Sequence, residues 1–112
     1  MSIGIEQDFA GLKQKVGAGL LFEGSVGRLP LVFVKREALH ETLRHLKESP
    51  DHRMHQLSEL TAIDRLYDPA PHGDRFELVY LLHNFQTGRR VVVKTSVPEK
   101  DPVVDTVTDL WL

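Results

Sequence analysis

Few residues in this 112-residue chain could do chemistry. His52-x-x-His55, with Asp51 beside it, has a spacing that a divalent metal can use. It stands in a polar connection with no second ligand pair, so it reads as two solvated loop histidines. His40 and His45 are five apart, which puts them on different faces of a helix. His83 closes an apolar run and reads as a side chain at a sheet end.

Asp64, Asp68, Asp74 and Glu77 flank one loop. General acid–base work needs two carboxyl groups converging in a pocket with separated pKa values. Here the sequence shows only nearness to a loop, so solvated carboxylates are expected. Gly17-Ala18-Gly19 with Gly24 is a partial glycine pattern, but a helix precedes it and a strand follows. A dinucleotide fingerprint needs the reverse order. There is no nucleophile elbow and no phosphate loop. Arg89-Arg90-Val91-Val92-Val93-Lys94-Thr95 is basic but lacks the aromatics that stack bases, so nucleic acid is not expected as a partner. No catalytic, cofactor-binding or metal-ligating residue is expected.

Composition narrows the field further. The chain has 14 Lys plus Arg against 16 Asp plus Glu, a formal charge of −2 that gives no pull toward polyanions. It has no Cys, which removes disulfides, thiolate zinc sites and iron–sulfur ligation. Apolar runs stop at four or five residues, so no membrane-spanning helix and no direct membrane insertion are expected. The first residues lack the basic and apolar regions of a signal peptide, and a cytoplasmic location is expected. The length suits one domain over residues 1–112.

Periodicity supplies the elements. Ile5, Phe9, Leu12 and Val16 mark one face of a helix, closed by Gly17 as a left-handed cap. Residues 20–23 and 29–34 read as a hairpin around Gly24-Ser25-Val26-Gly27, with Pro30 at a strand start or edge. Leu39, Leu43 and Leu46 mark a helix over 36–48, ended by Ser49-Pro50, with Arg44 and Glu48 spaced to pair. Residues 60–67 form a strand whose mixed pattern could hide a bulge. Phe76, Leu78, Tyr80 and Leu82 alternate along a central strand. Residues 89–97 return after a loop at 84–88. Asp101-Pro102 then looks like a cap and first turn, with Val103, Val107 and Leu110 continuing at helical spacing. The expectation is an α+β fold of two layers, helices on one face of a mixed sheet, in the order α-β-β-α-β-β-β with the start of a further helix.

The second half carries a resemblance. Leu60-Thr61-Ala62-Ile63-Asp64, Arg75-Phe76-Glu77-Leu78-Val79-Tyr80, Val97-Pro98, Asp101-Pro102-Val103-Val104 and Val107-Thr108-Asp109-Leu110-Trp111 follow in order and spacing. Together they resemble the C subunit of the proton-translocating NADH-quinone oxidoreductase, the 30 kDa subunit of respiratory complex I. The family's Asn-Trp-x-Glu-Arg-Glu segment is absent, so none of its signature residues is carried over. The resemblance implies the N-terminal domain of a longer protein, cut at residue 112.

It also implies a non-catalytic structural subunit of the hydrophilic arm, packed chiefly against the quinone-site subunit. FMN, iron–sulfur clusters and quinone would lie on other subunits. The chain would be peripheral on the cytoplasmic face of the inner membrane. The apolar residues Val107, Leu110 and Trp111 are expected to meet a partner. The equivalent subunit of a group 4 hydrogenase or formate hydrogenlyase shares these motifs. A stand-alone ligand-binding or enzymatic α+β domain is the reading from another class.

Overall fold

The computed structural model describes residues 9–67, 74–104 and 106–111. Ile5 and Asp68 lie outside them. Helix α1 spans Ala10–Val16 and buries Leu12, with Lys13 and Lys15 in its last turn. Gly17 closes it, its N–H donating to the Lys13 carbonyl. Its φ of +53° favours glycine, but its ψ of −122° departs from the expected left-handed helical cap.

Strands β1 (Leu20–Val26) and β2 (Leu29–Val34) form the hairpin. The expected turn at Gly24–Gly27 shrinks to two residues, because Gly27 alone supplies the positive φ a tight hairpin needs. Pro30 lies one residue before β2 begins to pair on its other side, where its missing N–H does no harm.

A 3₁₀ turn at Arg36–Ala38 leads into helix α2, Leu39–Glu48. Its buried residues are Leu39, Thr42, Leu43 and Leu46, and it stops at extended Ser49 before Pro50. Strands β3 (Gln56–Asp64), β4 (Phe76–His83) and β5 (Arg90–Val97) complete the sheet. Strand β3 starts four residues earlier than its composition suggests. Its bulge falls between Leu57 and Glu59.

The sheet order is β1-β2-β5-β4-β3, with β2 and β5 parallel and the other pairs antiparallel. Both helices pack on one face. The core joins Leu12, Leu39, Leu43 and Leu46 to Val32, Val34, Tyr80, Leu82, Val91 and Val93. This is the expected two-layer α+β arrangement.

The further helix is not formed. Residues 98–104 and 106–111 run as an irregular strap with two turns; in the second, the N–H groups of Leu110 and Trp111 donate to the Val107 carbonyl at 2.9 and 3.0 Å. Two causes are visible. Val103, Val104, Thr106, Val107 and Thr108 are β-branched and poor helix formers. Carbonyls that a helix would use are also taken: Arg36 donates to those of Asp101 and Val103.

Candidate interaction surface

The carboxylates singled out in the sequence do not converge. Glu77 is 1% exposed, not solvated. It sits between Arg65, whose Nε donates to Oε2 at 3.1 Å, and Lys94, whose Nζ lies 2.9 Å from Oε1. A carboxylate buried this deeply needs opposite charge beside it. Asp64 receives two hydrogen bonds from Arg75, at 3.1 and 3.0 Å. Those bonds hold its pKa below the ordinary carboxylate value. Arg75 also reaches Glu99 and stacks over Phe76, tying the ends of β3, β4 and β5 together. The Asp74 N–H donates to Ser96 Oγ. The carboxylates of Asp64 and Glu77 are thus committed to structural ion pairs.

The histidines also separate. His52 is buried, stacked on Phe9 with ring centroids 5.5 Å apart and edge-on to His45 at 6.1 Å. Its carbonyl accepts a hydrogen bond from the buried Asn84 side chain at 2.9 Å. His52 is therefore a core residue and not a loop ligand. Burial, followed by the nearby Lys15, lowers the pKa of His45. His55 faces the other way. Its Nδ1 bonds to the Arg53 carbonyl and its Nε2 accepts the Phe85 N–H. His83 packs edge-on to Phe85 at 4.5 Å, at the end of β4 as expected. Among the described residues no group of three His, Asp or Glu is placed to hold a metal.

What the structure does assemble is a docking arrangement along α2. Arg36, His40, Arg44 and Lys47 form one stripe facing the strap. Arg36 holds the Asp101 and Val103 carbonyls and lies 3.3 Å from the Asp101 carboxylate. His40 and Arg44 both reach Asp109, and Lys47 caps the Leu110 carbonyl. Sequence reading missed this stripe by comparing His40 with His45 and pairing Arg44 with Glu48, whereas Arg44 reaches Asp109. The intervals 36, 40, 44 and 47 are the helical signal that marks it.

The strap places Val107 and Leu110 in the chain's own core, at 9% and 7% exposure. Burial within the fold removes the exposure that made these two candidates for a partner contact. Trp111 remains half-buried, with Nε1 donating to the Met54 carbonyl at 3.3 Å. It lines an open cleft of about 470 Å³ with Lys47, His55, Gln56, Leu57 and Leu110. The cleft lies where β3 begins.

Strand β3 is the most open element beside that cleft. It is an edge strand, and of its nine residues only Gln56, Leu57 and Ile63 are partly covered. Leu60 pairs with buried Tyr80 and so faces the helix layer, yet it is 52% exposed because no helix reaches it.

The family model described as respiratory-chain NADH dehydrogenase, 30 Kd subunit, matches residues 32–112. The C subunit of NADH-quinone oxidoreductase from Erythrobacter litoralis (strain HTCC2594) is 42% identical over 72% of this chain and 30% of its own length. The C/D subunit of NADH-quinone oxidoreductase from Acidiphilium cryptum (strain JF-5) is 36% identical over 75% of this chain and 15% of its own. The chain thus spans less than a third of either relative. Among solved structures, Nqo5 of a trypsin-resistant fragment (1-134) matches with a TM-score of 0.70 and 31% identity, over 90% of this chain and 78% of that one.

Proposed function

Since the chain belongs to the respiratory-chain NADH dehydrogenase 30 kDa subunit family, we propose that it is a non-catalytic structural subunit of the hydrophilic arm of a proton-translocating NADH-quinone oxidoreductase. In this reading it packs against a D-type, quinone-site subunit. FMN, iron–sulfur clusters and quinone sit on other subunits. The chain is held at the cytoplasmic face of the membrane through its partners.

One observation carries the choice of partner. In the C/D relative, the sequence like this chain occupies 15% of a single longer polypeptide. A C-type portion and a D-type portion on one chain are held at high effective concentration, which suits parts that work in contact. The geometry agrees with a role in contact. The Asp64 and Glu77 carboxylates are spent on ion pairs, while an edge strand is left open. No helix among the described residues is long and apolar enough to cross a membrane, so attachment through other subunits is the route proposed.

The test is affinity purification of the tagged full-length gene product from its own cells. Recovery of the D-type subunit, with loss of quinone reductase assembly when the gene is deleted, is the expected result. Recovery of a hydrogenase large subunit, or of the tagged chain alone, overturns the proposal.

A further inference from the structure

We infer that strand β3 is a docking strand, which takes an extended segment of the D-type subunit along its free edge. That segment would seat an apolar side chain, followed by an acidic one, in the cleft at the strand's start. The inference rests on the partner named above and deepens it by assigning the surface.

The free edge is the first ground. Among the described residues β3 has one neighbour, β4, in register from Glu59–Leu81 to Asp64–Phe76. Its outer side therefore offers a row of backbone donors and acceptors that another strand satisfies. Natural edge strands are commonly blunted by charge, proline or a bulge. Here the bulge sits near the start of the strand, and residues 59–64 contain only Glu59 and Asp64 as charges, with Asp64 tied to Arg75.

Apolar surface is the second ground. Leu57 and Leu60 both face the helix layer, because the bulge between them restores their phase: they pair with buried Leu82 and Tyr80. Leu57 continues into the cleft floor with Leu110 and Trp111. The floor is already fixed, since the Trp111 indole is bonded to the Met54 carbonyl and Lys47 to the Leu110 carbonyl. A preformed cleft loses little entropy on filling.

Charge selects the occupant. The cleft lining includes Lys47 and no carboxylate. Arg36, His40 and Arg44 face Asp101 or Asp109, whereas Lys47 meets a carbonyl. A partner carboxylate completes that set. The opposite edge, β1, is differently built. Glu23 pairs with Lys13, and Gly24 interrupts the strand beneath the Phe22 ring.

The experiment co-produces this chain with the D-type subunit of the same genome and measures their affinity. Leu60→Glu is the test variant, since its side chain is exposed and the fold has no need of it. Val26→Lys on the other edge is the control. Trp111 is the only tryptophan in the chain, so 5-fluorotryptophan labelling gives one ¹⁹F signal in the cleft.

The expected result is at least a tenfold loss of affinity for Leu60→Glu and no change for Val26→Lys. The ¹⁹F signal should shift on binding, and the amides of residues 59–64 should gain exchange protection. Tight binding that is indifferent to Leu60→Glu, with no ¹⁹F shift and no new protection, overturns the docking strand and leaves the structural-subunit reading intact. Loss of binding through Val26→Lys alone moves the site to β1 and also overturns it. A dimer of this chain that Leu60→Glu converts to monomer, with no response to the D-type subunit, makes a second copy the occupant and overturns the proposed one. No binding by the unaltered chain overturns both readings.

Discussion

His40 Nε2 lies 3.0 and 2.9 Å from the two carboxylate oxygens of Asp109, a residue 69 positions later in the chain. That contact pins the strap to α2 on the solvent side, while Val107 and Leu110 pin it on the core side.

Its pH dependence has a defined sign. The hydrogen bond from His40, with further help from Arg44, holds the Asp109 carboxyl below its ordinary 3.8. A carboxylate with a depressed folded-state pKa stabilises the fold above its unfolded value, and the effect fades as pH falls through the folded value. Asp109→Asn is therefore expected to be less stable than the parent at neutral pH, with the gap closing below about pH 4. Urea denaturation at pH 7 and pH 3 measures this, and an equal gap at both refutes it.

Glu77 is the second site to alter. Glu77→Gln keeps the shape but leaves Arg65 and Lys94 facing one another without the anion between them. Both cations remain about a fifth exposed, so solvent softens the loss. The expected cost is about 1–3 kcal/mol, and Lys94→Met should cost less because Arg65 still pairs. Denaturant midpoints of the three proteins give the order.

Gly19 abuts the start of α2. A Cβ added there would stand 2.6 Å from Ala38 Cβ. Gly19→Ala should destabilise by about 1–3 kcal/mol through overpacking. Ala38→Gly in the same chain should recover part of that loss, and a double-mutant cycle reads the coupling.

Two leucines test the boundary between core and surface. Leu43 is fully buried, so Leu43→Ala should cost about 2–5 kcal/mol and lower Tm by about 10 °C or more. Leu60→Ala should stay within about 0.5 kcal/mol. Calorimetry on both decides whether the helix layer leaves Leu60 uncovered.

Much of this was legible in the sequence, for local reasons. The leucines of α2 and the alternation of β4 are short-range patterns, and they placed the core face correctly. What escaped depended on distant partners. Glu77 looks like a loop carboxylate until Lys94 and Arg65 are brought beside it. His52 looks solvated until Phe9 stacks on it. The strap kept its helical spacing only across one turn, from Val107 to Leu110, because Arg36 claims the Asp101 and Val103 carbonyls. The basic stripe of α2 was readable, but its meaning required a strap 60 residues away. The resemblance to the complex I 30 kDa protein carried the family, and no local pattern pointed to the open edge of β3.

The parallel pairing of β2 with β5 has a bearing on how the chain is made. Val32 lies beside Val93 at the centre of the sheet, so the first hairpin and α2 leave the ribosome with one side of β2 unmatched. Nothing synthesised next fills it, since β3 belongs at the far edge. Closure waits for residue 97, and the strap waits for residue 111. Such a chain gains its rewarding contacts late and folds slowly for its size. During synthesis its half-built sheet is open to wrong pairings.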